Sequence, residues 1–237
     1  MKRPFLTARW TDLVLAQYDV DDALLEPHLA PGLTLDRFEG RAYVSLVAFD
    51  FRDTRVRGVR IPGHTRFPEV NLRFYVRDPA TGIRGVMFIR ELVPRRLVAW
   101  VARAIYNEPY RASPMRSTRA QHDQRVTVEH TWRFGASTHR VRACGTMPLH
   151  TPDPESREHF FKEHSWGFGK SRSGRRLIYR VEHPVWAVYA ASEAEISVDF
   201  ARVYGPAWSV LNGRSPDSIV FAAGSSVSVS PVSSASA

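Results

Sequence analysis

Apolar and polar side chains alternate with a period of two along most of this chain. That period belongs to β-strands, whose side chains point to opposite faces in turn. In one stretch Val70, Leu72, Phe74 and Val76 form an apolar face against Glu69, Asn71 and Arg73. Leu13, Leu15 and Gln17 oppose Val14, Ala16 and Tyr18 in a first strand. Val126, Val128, His130, Trp132 and Phe134 alternate in the same way before Gly135 and Ser137 turn the chain into a partner strand over 138–145. Residues 33–38, a turn at Glu39 and Gly40, and residues 43–51 read as a hairpin. Further strands are expected over 86–92, near 177–181 and 187–191, and over 219–229. The basic stretch 52–64, punctuated by Gly and Pro, reads as a loop.

Helical spacing is confined to three places. Residues 21–29 form a short helix ended by Pro31 and Gly32. Leu97, Val98, Val101, Ala104 and Ile105 recur at helical spacing, so 94–106 is the clearest helix, with Pro94 at its start. Residues 155–164 form another. The expected fold is mainly β (α+β): one antiparallel, closed, barrel-like domain over 1–229 with a few peripheral helices. A flexible Ser/Ala tail is expected over 230–237.

With 237 residues, 43% of them hydrophobic, the chain has ample material for one large core. No run is apolar enough for a signal peptide or a membrane span, so the cytoplasm is the simplest location. The single cysteine, Cys144, excludes an internal disulfide and any multi-cysteine metal site. The net charge of +9 is almost wholly arginine, since the only lysines are Lys2, Lys162 and Lys170. A basic surface attracts nucleic acid or other anions. The arginines are scattered, however, apart from Arg52, Arg55, Arg57 and Arg60, and no nucleic-acid-binding signature accompanies them. The histidine spacings give no metal site: His159 and His164 are five apart, and His130 and His139 could face each other across a hairpin with no third ligand. Gly167 to Gly174 lacks the spacing of a phosphate-binding loop, and no cofactor is expected.

Several segments together resemble the YqjF-like family, also called domain of unknown function 2071. They are residues 10–20, Pro31-Gly-Leu-Thr-Leu-Asp36, Gly40-Arg-Ala-Tyr-Val-Ser-Leu-Val47 and Phe67-Pro-Glu-Val-Asn-Leu-Arg-Phe-Tyr-Val76. Gly85-Val-Met-Phe88, Pro109-Tyr-Arg111, His183-Pro-Val-Trp186 and Gly224-Ser-Ser226 complete the set, in family order and over almost the whole chain. The resemblance implies the acetoacetate decarboxylase-like fold group, a closed sheet around a central cavity. In acetoacetate decarboxylases a pair of lysines follows the helix and proline, and the first forms a Schiff base. Here Tyr110 and Arg111 take those places. Tyr110 cannot form an imine, Arg111 stays protonated, and none of the three lysines stands in a similar context, which argues against the decarboxylase mechanism.

The resemblance also puts Glu69 where the decarboxylases carry an active-site glutamate. Glu69, Asn71 and Arg73 share one strand face, which either meets solvent or lines a cavity. Lining a cavity, they would offer an acid or base in Glu69, a hydrogen-bonding amide in Asn71 and a carboxylate clamp in Arg73. Tyr110 and Arg111 either add a phenol donor and a second anion contact, or cap the turn. The expectation is thus a cavity for a small organic acid or carbonyl compound, serving binding or catalysis. The competing expectation is a basic interaction protein that works through its 52–60 arginines.

Overall fold

The structure, a computed structural model, describes residues 3–234. Strand β1 (Leu6–Val20) is followed by helix α1 (Asp22–Leu25), a 3₁₀ turn (Glu26–His28), β2 (Thr34–Leu35), β3 (Ala42–Val56), β4 (Phe67–Arg77) and β5 (Arg84–Val93). Then come α2 (Arg96–Ile105), β6 (Tyr110–Ala112), β7 (Met115–His122), β8 (Arg125–Phe134) and β9 (Ser137–His150). The chain ends with α3 (Arg157–Lys162), β10 (Trp166–Lys170), β11 (Arg176–Glu182), β12 (Val188–Ser197), α4 (Phe200–Tyr204), a 3₁₀ turn (Pro206–Leu211), β13 (Ser218–Val229) and β14 (Ser233–Ser234). Among the described residues no helix is long and apolar enough to cross a membrane.

The fold is mostly β, and the strands join one mixed sheet rather than a purely antiparallel one. The order runs β14-β11-β10-β5-β4-β3-β1-β13-β12-β9-β8-β7. Two pairs are parallel, β5 with β10 and β5 with β6. The first arises because the chain leaves β5, makes a long excursion through β6–β9 and α3, and only then returns beside it, entering in the same direction. β11 also pairs with β13, so the path from β13 through β1, β3, β4, β5, β10 and β11 comes back to its start. The expected hairpin over 33–51 does not form. β2 pairs with β4, and only a single bridge joins Phe38 to Arg41. β3 is longer than expected: it runs to Val56, into the stretch read as a loop, because its far end pairs with β1. In the expected tail, Ser233 and Ser234 pair with β11, while residues 235–237 lie outside the described ones.

The alternation in β1, β3 and β4 sorts side chains onto two faces. Val14, Leu46, Val70, Leu72 and Phe74 point outward into the largest apolar cluster, beneath β8, β9 and α4. That cluster takes in Trp132 of β8 and Phe200 of α4. Cys144 is a buried free thiol of β9, on the strand face opposite Val141 and Ala143, beside the Thr127 hydroxyl. The opposite face of β1, β3 and β4 looks into the ring, where Val47, Phe49, Phe51 and Phe67 form a second cluster. Ala99 and Val98 of α2 close over it. The apolar stripe of α2 is narrower than its spacing predicts, for Ile105, Ala104 and Leu97 are exposed.

Candidate functional site

The ring encloses a cavity of about 170 Å³. Its wall is largely apolar, and its polar groups come from β3, β4, β5, β6 and β11, from helix α3 and from connecting segments. Glu69, Asn71 and Arg73 of β4 project into it, while Val70, Leu72 and Phe74 face the outer cluster. Of the two arrangements open to that polar face, the cavity is therefore the one found. Glu69 and Asn71 are almost fully buried.

Tyr110 also lines the cavity. β6 runs parallel to β5 with Tyr110 beside Glu91, and this brings the phenol to the Glu69 carboxyl. The Tyr110 hydroxyl donates to Glu69 Oε2 at 2.9 Å, and Asn71 Nδ2 donates to Glu69 Oε1 at 3.0 Å. Arg73 donates through Nη2 to the carbonyl of Phe161 at 3.1 Å, which ties the end of α3 to β4, while its Nε has no partner in the protein among the described residues. Arg111 is the member of the expected set that does not join the others. It is exposed, it does not line the cavity, and its guanidinium lies over the Phe134 ring at 5.2 Å. The strand period is the reason: with Tyr110 turned inward, its neighbour must turn outward.

Two further acids stand in the same wall. Glu91 of β5 and Glu108, just before β6, are both almost fully buried and line the cavity. Tyr179 of β11 donates to Glu108 Oε1 at 3.1 Å. Burial, which disfavours a charged carboxylate, pushes Glu69 up to about 7 against the pull of Asn71, Tyr110 and Arg73. Burial, and then the repulsion of Glu69, push Glu108 up to about 8 despite the Tyr179 hydrogen bond. Glu91 is raised well above the ordinary carboxylate range by burial and then by Glu108 and Glu69. Near neutral pH Glu69 and Glu108 are poised between protonated and charged forms, as proton transfer requires.

The opposite charge is found at the other end of the β4 row. Besides Arg73, the cavity is lined by Lys162 and by His183, whose imidazole burial holds toward its neutral form. The Lys162 side chain is wholly buried, and its Nζ lies 2.5 Å from Glu163 Oε1. That oxygen also accepts from the backbone N–H of Trp186 at 3.2 Å. An ammonium held in such a pair is not the free amine that imine formation requires. His183 stacks on Trp186 with ring centroids 4.0 Å apart.

Sequence reading did not single out Glu91, Glu108 or Lys162. Glu108 had one available mark, its place beside Pro109 in the segment that carries the resemblance. Lys162 has none, because a six-residue helix gives no period that reports which side is covered.

His130 and His139 do not face each other. His130 stands opposite Val141, and His139 stands opposite Trp132. His164 is bound to Asp36 at 3.0 Å. In the arginine stretch, Arg52 is paired with Asp12 and Asp50, and Arg60 with Asp53. Part of that charge is thus offset within the chain. No group of three His, Cys, Asp or Glu side chains is placed to hold a metal ion among the described residues.

Residues 7–226 match the family model DUF2071, an uncharacterized conserved protein, and the chain belongs to that family. It is 29% identical over 192 residues to the uncharacterized protein YqjF of Bacillus subtilis (strain 168), a match covering 80% of this chain and 77% of YqjF. Among solved structures, the acetoacetate decarboxylase of Legionella pneumophila superposes with a TM-score of 0.68 at 14% identity, covering 98% of this chain and 87% of that one. The enduracididine biosynthesis enzyme MppR complexed with pyruvate superposes with a TM-score of 0.60 at 13% identity, covering 97% and 89%. At such identities the likeness is one of fold: the chain has the acetoacetate decarboxylase-like fold.

Proposed function

We propose that this DUF2071 protein takes a compact organic acid bearing a carbonyl group into the barrel-like cavity, with Glu69 as its proton-transfer group. The observation that carries the reading is the row Glu69, Asn71, Arg73 along the inner face of β4. It sets a carboxyl poised near neutrality four residues along the same strand face from a guanidinium whose Nε has no partner among the described residues. Arg73 is the anion clamp, since a guanidinium offers several donors in the plane a carboxylate needs. Asn71 and Tyr110 orient the Glu69 carboxyl, and the apolar wall excludes water and so strengthens each polar contact made inside. A pyruvate complex of MppR, a protein of the same fold, supports the ligand class.

In this reading Glu69 removes a proton from the carbon beside the carbonyl and returns one to the same carbon, with no oxidant or cofactor needed. The test is to titrate the protein with pyruvate and acetoacetate by calorimetry, and to follow pyruvate methyl protons by NMR in deuterated water. Saturable binding is expected, weakened about tenfold or more by Arg73→Gln. Deuterium exchange should be accelerated by the native protein and lost in Glu69→Gln, with binding retained. Absence of binding by either acid would overturn the ligand class. Binding with no Glu69-dependent exchange would leave a binder and remove the proton-transfer role.

A further inference from the structure

At the acidic end of the cavity, two buried oxygens meet no donor among the described residues. Asn71 and Glu91 stand opposite each other in the β4–β5 register and are each 2% exposed. The Asn71 amide spends Nδ2 on Glu69, which leaves Oδ1 as an unused acceptor. Neither Asn71 Oδ1 nor Glu91 Oε2 meets a hydrogen-bond partner among the described residues. A buried acceptor without a partner has lost its hydrogen bonds to water uncompensated, so adjacent ones in a cavity wall mark a place that rewards a donor.

The surrounding charges narrow the class of donor. Glu69 on β4, Glu91 on β5 and Glu108 before β6 approach closely enough to repel one another, and Tyr110 and Tyr179 donate to two of them. Arg73 is two positions from Asn71 along β4. An anionic group placed beside Glu91 would add to the repulsion, and a carbonyl would add one more acceptor. A positively charged nitrogen group carrying several N–H bonds satisfies the unused oxygens and offsets the repulsion together.

We propose that the ligand also carries a cationic nitrogen group, an ammonium or guanidinium, which sits against Asn71 Oδ1 and Glu91 Oε2. The proposal rests on the reading above for the ligand's other end, the acid group held by Arg73. Same-face positions on a strand are about 7 Å apart. That spacing suits a zwitterion of roughly the length of a five-carbon ω-amino acid. Because burial raises all three acids above the ordinary carboxylate range, seating a cation among them favours their ionised forms and releases protons to solvent at slightly acidic pH.

The test is calorimetry on the full chain with 5-aminopentanoate, pentanoate and n-butylammonium, each in two buffers of different ionisation enthalpy at slightly acidic pH. The expected result is 5-aminopentanoate binding about tenfold or more tighter than pentanoate, with net proton release. Glu91→Gln should erase that preference while still binding pentanoate. If that variant fails to fold, Glu108→Gln, which removes another member of the acid group, should reduce the preference and the proton release. If pentanoate and pyruvate bind but the amine brings no gain, this inference fails and the organic-acid reading stands. If the two amines bind and the simple acids do not, the cation site stands and the acid clamp falls. If none of these compounds binds, both are overturned.

Discussion

The Tyr110 hydroxyl donates to Glu69 Oε2 at 2.9 Å, so a phenol on β6 serves as hydrogen-bond donor to a buried acid on β4. This bond favours the ionised carboxylate and works against the burial that raises Glu69 to about 7. Tyr110→Phe should therefore move the apparent Glu69 pKa further upward. An NMR titration of a side-chain-labelled glutamate would read the change. A downward move, or none, would mean that the hydroxyl does not hold Glu69.

The three buried acids give a definite sign to the pH dependence of stability. Each has a folded-state pKa above its ordinary value of 4.5, so between that value and the folded pKa the native state holds a proton that the unfolded state has lost. Their contribution is most favourable at and below the ordinary value. It declines as pH rises through about 7 for Glu69 and about 8 for Glu108, then levels off. Glu108→Gln removes one such group. Between about pH 5 and about pH 8 the variant should lose less stability than the native protein, measured by denaturant midpoints. An equal or larger loss in the variant would refute the assignment.

Gly167 of β10 leaves room for a side chain of β11. A Cβ there would come within 2.1 Å of the Tyr179 ring carbon Cζ, so Gly167→Ala must displace the ring whose hydroxyl holds Glu108. The expected cost is about 1–3 kcal/mol, as for overpacking in a core. Loss of the Tyr179 fluorescence or ring-proton signature of a fixed side chain should accompany it. A variant of native stability with Tyr179 unmoved would show that the contact is looser than described.

Lys162 and Glu163 form an ion pair whose lysine is wholly buried. Lys162→Met leaves the carboxylate without its cation and should cost about 3 kcal/mol or more, since breaking a buried pair from one side strands the other charge. Lys162→Met combined with Glu163→Gln should recover much of that loss. Thermal unfolding of the two single variants and the double variant closes the cycle. Additive losses would mean the two charges do not depend on each other.

The period of two along β4, β8 and β9 was legible in the sequence because a half-buried strand must alternate, and each of these strands separates an apolar face from a more polar one. The same period identified Glu69, Asn71 and Arg73 as sharing a face, and the family resemblance pointed to a cavity beneath it. Alternation alone, however, cannot say whether a polar face meets water or an enclosed space. That depends on β11 reaching both β10 and β13, residues far apart in the chain, which turns the sheet back on itself.

Glu91 marks the boundary between the two kinds of information. Counting by twos from Val86 and Phe88 would carry Arg90 into the cavity and Glu91 out of it. The β4–β5 ladder instead slips between Leu72 and Arg73, with one extra residue in β5, and the two exchange faces. Glu91 enters the cavity, and Arg90 turns out to donate to the Val203 carbonyl. The alternation of side chains is a local property of the backbone, so the sequence by itself determined that stretches such as 69–76 and 126–134 are strands and which of their residues share a face. A bulge, a parallel return and the closure of a ring are set by pairing between distant segments. Only the tertiary structure decided that three acids, a tyrosine and an arginine would meet in one cavity.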